Sequence, residues 1–189
     1  RQGQGQGQGQ GSSRPVPVRP VVLGSSQSHY SLSKNAVMSG VGSDNVVKVP
    51  CDAEGRMIPH RLAELVTSLK ADGADPFFLQ ATAGTTVLGA FDPLNEIADI
   101  CHREGIWLHV DGAWGGTVLM SDTLRTLMHG IERCDSLAAN PHKMLGVPLQ
   151  ASMLLTAPSH KNILSATASL KADYLFHDHD HASYDLGDR

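Results

Sequence analysis

The sequence predicts an α/β fold, a mostly parallel sheet with flanking helices. Three observations lead there. Short apolar, β-branched runs recur at residues 21–23, 45–49, 76–81, 106–111, 136–139 and 151–156. Stretches with apolar residues at helical spacing separate most of these runs, which is the pattern of βαβ units and a sheet covered on both faces. Polar residues with chemical potential, namely His29, Thr85 and Thr86, Asp111, and His142 with Lys143, fall at or just after the ends of predicted strands. In open parallel sheets ligands sit beyond the carboxyl ends of the strands, so these positions share one edge.

Taken in order, residues 1–11 are close to a Gln-Gly alternation, with maximal backbone freedom and nothing to build a core. Residues 14–20 carry three prolines, which lack ladder donors, and read as an extended lead-in. Residues 1–19 are therefore expected to be a disordered leader and residues 20–189 a single folded unit. Val21-Val22-Leu23 is ended by Gly24-Ser25-Ser26 and reads as a buried strand. Residues 29–40 space Leu32, Ala36, Val37 and Met38 as a helix and close on glycine. Residues 58–71 form an amphipathic helix with Pro59 in its first turn. Residues 76–81 are a strand, followed by the hydroxyl-rich loop Thr82-Ala83-Gly84-Thr85-Thr86. Residues 93–104 turn Leu94, Ile97, Ala98 and Cys101 inward as a helix. A helix is expected around residues 121–130, and a weaker one over 159–169.

At 189 residues, 41% hydrophobic and 18% charged, the chain has the composition of one soluble globular domain. A net charge of −4 with no Lys/Arg-rich run excludes a phosphate-tracking surface, so no nucleic-acid partner is expected. No apolar run reaches the roughly 18–20 residues that span a bilayer, so no membrane partner is expected. The three cysteines, Cys51, Cys101 and Cys134, are odd in number and widely spaced. They read as small buried apolar residues in a reducing, cytoplasmic setting.

The chemistry centres on Ser136-Leu137-Ala138-Ala139-Asn140-Pro141-His142-Lys143, a buried strand that stops at Asn-Pro and presents His142 and Lys143. Upstream, Ile106-Trp107-Leu108-His109-Val110-Asp111 presents a carboxylate behind five largely apolar residues. An amine and a carboxylate at neighbouring strand ends suit a cofactor with an aldehyde and a basic ring nitrogen, pyridoxal 5'-phosphate. Burial and a nearby cation would favour an unprotonated Lys143. Asp111 would hold the ring nitrogen protonated, although an aspartate there could equally cap a helix. His29 could lay its ring on the cofactor face, Ala113 is small enough to admit a planar ring, and Thr85 and Thr86 could serve the site or only the turn.

Other signals are weaker. His177-Asp178-His179-Asp180-His181 has metal-ligand types, but i, i+2 alternation in an extended segment points them to opposite sides, so no metal site is expected. Neither a G-x-G-x-x-G opening a helix nor a G-x-S-x-G elbow is present, so a dinucleotide fold and a serine hydrolase built on Ser25, Ser26 or Ser28 have little support.

At greater length the chain resembles the group II pyridoxal-phosphate-dependent decarboxylases. The matching text is Ser28-His29-Tyr30-Ser31, the run Ala81-Thr82-Ala83-Gly84-Thr85-Thr86 through Gly89-Ala90-Phe91-Asp92-Pro93, Trp107-Leu108-His109-Val110-Asp111-Gly112-Ala113-Trp114-Gly115-Gly116, Asn140-Pro141-His142-Lys143-Met144, and Tyr174-Leu175-Phe176 with Ser183-Tyr184-Asp185-Leu186-Gly187-Asp188. The likeness covers residues 21–189, and within the family it runs toward the glutamate and cysteine sulfinate decarboxylases.

The resemblance implies an incomplete large domain of the aspartate-aminotransferase type (fold type I). It implies that Lys143 carries the cofactor as an imine, that Asp111 meets the ring nitrogen, and that His29 and Ala113 flank the ring. Thr86 would support the Asp111–ring contact, and His142 would lie near the phosphate. The implied reaction is α-decarboxylation of an acidic amino acid, with glutamate first, cysteine sulfinate or aspartate as the alternative, and a homodimer as the assembly. The family's Asp-Ala-Ala stands here as Asp111-Gly112-Ala113, which is expected to loosen that turn. The phosphate-gripping amino-terminal segment, the catalytic loop with its tyrosine and the substrate-carboxylate arginine have no counterpart in these residues. The chain is accordingly expected to be a fragment, inactive alone, and a non-catalytic truncated module is a further alternative.

Overall fold

The computed structural model describes residues 18–168. A six-stranded sheet runs in the order β2-β1-β3-β4-β5-β6. The strands are β1 (Arg19–Ser25), β2 (Val46–Val49), β3 (Ala74–Thr82), β4 (Trp107–Gly112), β5 (Ser136–Ala139) and β6 (Met153–Thr156). All neighbours are parallel except β6, which is antiparallel to β5. The helices are α1 (Ser31–Met38), α2 (Pro59–Ala71), α3 (Leu94–Glu104) and α4 (Lys161–Ala168).

Alternation along the strands divides the sheet into two unlike faces. One side of β1, β3, β4 and β5 presents Val21, Leu23, Leu79, Ala81, Leu108, Val110 and Leu137, all buried. These form one core with Leu62 and Val66 of α2 and Leu94, Ile97, Ala98 and Cys101 of α3. The other side is polar. Gly24, Gln80, His109, Ser136 and Thr156 lie in one row, and Thr82, Asp111, Ala138 and Leu154 in the next. On this side Leu32 of α1 packs over Gly24, and Ile163 and Leu164 of α4 stand near Phe78 and Trp107.

The two faces follow from handedness. The connection through α1 moves from β1 outward to β2, whereas those through α2 and α3 move the opposite way across the sheet. Right-handed crossovers put helices of opposite travel on opposite faces. The sheet therefore has a topological switch point between β1 and β3, where the outgoing loops diverge.

Several expectations change. Arg19 and Pro20 open β1 instead of preceding it, pairing only with β3 before β2 joins at Val22. One side of β1 is free there, so the missing proline donor costs nothing. The helix expected over 121–130 is instead one 3-10 turn, Arg125–Met128, flanked by two more at Gly115–Met120 and Ile131–Arg133. Ser121 and Thr126 bond to nearby backbone, competing with helix propagation, and of this segment's apolar residues Met128 is buried while Leu124 and Leu127 stay exposed. Residues 1–17 of the proposed leader and the end of the helix expected over 159–169 lie outside the described residues. So do His177 to His181 and the matching text after Ala168.

Asp92 holds the site-bearing loop in place. Its Oδ1 accepts from Met57 N at 2.6 Å and its Oδ2 from Thr82 N at 2.7 Å. The carboxyl is buried at 3% exposure. Burial pushes its pKa up from 3.8 to about 6, against the two N–H donors, which pull it down.

Candidate active site

A cavity of about 310 Å3 opens at the switch point, along the carboxyl ends of β1, β3, β4 and β5. Loops leaving in opposite directions create this crevice, and its size lies within the range of small-molecule sites. Of the residues expected from sequence, His29, Thr86, Asp111, Ala113 and Lys143 line it together.

Asp111 stands at the end of β4 on the polar face. Its Oδ1 accepts from Ala113 N at 3.1 Å and its Oδ2 from Gln80 Nε2 at 3.3 Å. It makes no ion pair among the described residues. His29, just beyond β1, is half-buried, and its Nδ1 takes both the Ser31 backbone N–H at 3.3 Å and the Ser31 hydroxyl at 2.9 Å. With Nδ1 accepting, the neutral ring carries its proton on Nε2.

Lys143 lies in the turn after β5, where its N–H donates to Asn140 O at 2.9 Å. It is exposed, so the burial invoked for it from sequence is not supplied by the described residues. Residues 143–150 are all exposed when only the described residues are counted. Lys143 is also the one Lys or Arg among the described lining residues.

Two expected residues are placed elsewhere. His142 is not among the lining residues: its Nδ1 lies 2.7 Å from Ala151 O and 3.2 Å from Ala151 N, tying the turn to the approach of β6. Lys143 lines the cavity and His142 does not, although the two are adjacent in the chain. Thr85 is buried, and its Oγ1 accepts from Ala90 N at 3.0 Å, so its part is to close the loop. Gly112 is not a loosened turn. It is the buried last residue of β4, and a Cβ there would come 3.0 Å from Ala138 O and 3.0 Å from Gly116 Cα.

The cavity also uses residues that the sequence reading passed over. Gln80 and His109 form its floor. The His109 Nδ1 lies 2.8 Å from Ser136 Oγ, which accepts from Trp107 Nε1 at 2.9 Å. Trp can only donate, so the serine oxygen accepts from it, and the tautomer of His109 sets which of Ser136 Oγ and His109 Nδ1 donates to the other. Burial lowers the His109 pKa, with the Asp111 charge working in the opposite direction. Strand alternation was the available signal: Trp107, His109 and Asp111 share one side of β4, as Phe78, Gln80 and Thr82 do on β3. The Thr82 hydroxyl is buried without a hydrogen-bond partner among the described residues. Gly84 lies where a Cβ would be 2.9 Å from Gly115 N, at φ +82°.

The sequence model of the family described as "Pyridoxal-dependent decarboxylase conserved domain" matches residues 4–189. The chain belongs to this family. It is 49% identical over 173 residues to the acidic amino acid decarboxylase GADL1 of Homo sapiens, covering 90% of this chain and 33% of that protein. It is 51% identical over 152 residues to cysteine sulfinic acid decarboxylase of Rattus norvegicus, covering 80% and 31%. The crystal structure of mouse CSAD in apo form superposes with a TM-score of 0.79 at 47% identity, covering 85% of this chain and 34% of that one. The chain thus spans about a third of the length of the curated relatives it matches.

The sheet and flanking helices are those of the fold type I decarboxylases, over part of their length. The residues present fit the cofactor of the pyridoxal-dependent decarboxylases. An ion-pair-free carboxylate suits a cationic ring nitrogen, an amine suits an aldehyde, and a small residue with an imidazole suits a planar ring.

Proposed function

We propose that the protein is a pyridoxal-phosphate-dependent α-decarboxylase of acidic amino acids. The observation that carries this reading is Asp111, a carboxylate held by two N–H donors, paired with no cation among the described residues, and sharing one cavity with Lys143. Lys143 would hold the cofactor covalently through its Nζ. Asp111 would hold a proton on the ring nitrogen, while His29 and Ala113 would confine the ring and Thr86 would support the Asp111 side. His142, held at the Ala151 backbone, would lie near the phosphate. When bound, pyridoxal phosphate supplies an electron-accepting ring for the pair left behind as the α-carboxylate departs.

Glutamate is the substrate toward which the sequence resemblance pointed. The names of the relatives support cysteine sulfinate equally, and the broader class of acidic amino acids contains both. A cytoplasmic homodimer is part of the same proposal. The free cysteines Cys51, Cys101 and Cys134 support the compartment, and the family resemblance supports the dimer.

The purified protein with added pyridoxal phosphate is expected to show a visible absorption band that borohydride fixes onto Lys143. A band that survives Lys143→Ala would overturn the assignment. Labelled CO2 release by the full-length protein from glutamate, aspartate and cysteine sulfinate then ranks the substrates, and release from none of them would contradict the decarboxylase reading.

A further inference from the structure

We infer that Gln80 is a positioning residue, which fixes the Asp111 carboxylate to receive the ring nitrogen of the cofactor. The inference rests on the reading of this cavity as a pyridoxal phosphate site. The Ala113 N–H holds one carboxylate oxygen, Oδ1. With that bond alone the group could still turn, because the terminal torsion of an aspartate is broad. The Gln80 amide removes this freedom by donating from Nε2 to Oδ2 at 3.3 Å. Each carboxylate oxygen has two acceptor positions, so Oδ2 keeps one for a ligand N–H.

The surroundings explain why a neutral donor stands here. Gln80 is 7% exposed, and a buried primary amide needs a partner. Its neighbour on β1 is Gly24, which offers no side chain, and its neighbour on β4 is His109, which burial biases toward the neutral form. A Lys or Arg at this position would pair with Asp111 and take the place of the ligand's cation. A Glu would repel the carboxylate. An amide orients it and leaves its charge for the ring.

The test uses the full-length protein and two ligands, pyridoxal phosphate and its 1-deaza analogue, which has C–H in place of the ring nitrogen. The Gln80→Met variant keeps side-chain length and loses both N–H donors. Loss of a hydrogen bond to a charged group should weaken pyridoxal phosphate about tenfold in Gln80→Met. The deaza analogue should change by less than about twofold, because it makes no contact that depends on the Asp111 orientation. Equal weakening of both ligands would mean that Gln80 only shapes the cavity, and unchanged affinity for both would also overturn the inference. If Gln80→Met does not fold, Gln80→Asn retracts the amide by one methylene and is read against the same two outcomes. The underlying reading fails separately, if the wild type binds pyridoxal phosphate no more tightly than the deaza analogue.

Discussion

Single residues here act through what they leave unpaired as much as through what they bond. Asp111 is organised by two donors and makes no ion pair among the described residues, whereas Asp92 spends both oxygens on the backbone of Met57 and Thr82. Asp92→Asn would turn an amide N–H toward one of those backbone donors. It should cost roughly 1–3 kcal/mol in urea unfolding. The pH dependence has a definite sign. The folded carboxyl, at about 6, binds its proton more tightly than an ordinary carboxyl at 3.8, so the folded state is favoured when Asp92 is protonated. That contribution is present below pH 4 and is lost as the pH rises to 6. The stability advantage of the wild type over Asp92→Asn should therefore shrink between pH 4 and 6. An advantage that grew across this window would contradict the burial account.

At the scale of elements, the turn after β3 and the turn after α3 use glycine for different reasons. Gly84 combines φ +82° with backbone at 2.9 Å from an added Cβ, while Gly105 has φ +70° and open space around it. Gly105→Ala should cost only the backbone strain, about 1 kcal/mol. Gly84→Ala carries that strain and also pushes Gly115, so it should cost about 2–4 kcal/mol. Thermal unfolding of the two variants side by side reads the difference, and equal costs would remove the close approach of the two loops from the account. These loops carry Thr86 and Ala113, so Gly84→Ala should also loosen the cavity. Much at this scale was legible from pattern: α2 and α3 from apolar spacing, β3 and β4 from short apolar runs. The failure at 121–130 was one of length and competition. Leu124, Leu127 and Met128 have helical spacing, but the hydroxyls of Ser121 and Thr126 bond local backbone and only Met128 finds the core.

For the whole molecule, ligand and fold should be linked by mass action. Pyridoxal phosphate at about 100 times its Kd should raise unfolding stability by about 2.7 kcal/mol if it binds only the folded state. The double variant Asp111→Asn/Lys143→Ala should lose most of that gain in a thermal-shift titration, and an undiminished gain would place binding elsewhere. The linear chain carried the parallel α/β class, the edge on which the polar residues gather, and the identity of His29, Thr86, Asp111, Ala113 and Lys143. These follow from local period and from residues placed at strand ends, which neighbours in sequence determine. Other features needed the assembled sheet. Gln80 and Asp111 are 31 residues apart, and only the β3–β4 register makes them partners. His142 and Lys143 are adjacent, and only the turn sends them to different places. The polarity of one sheet face, the switch point and the cavity all depend on strand order and crossover hand. Those are set by packing between segments far apart in the chain, which local periodicity does not encode.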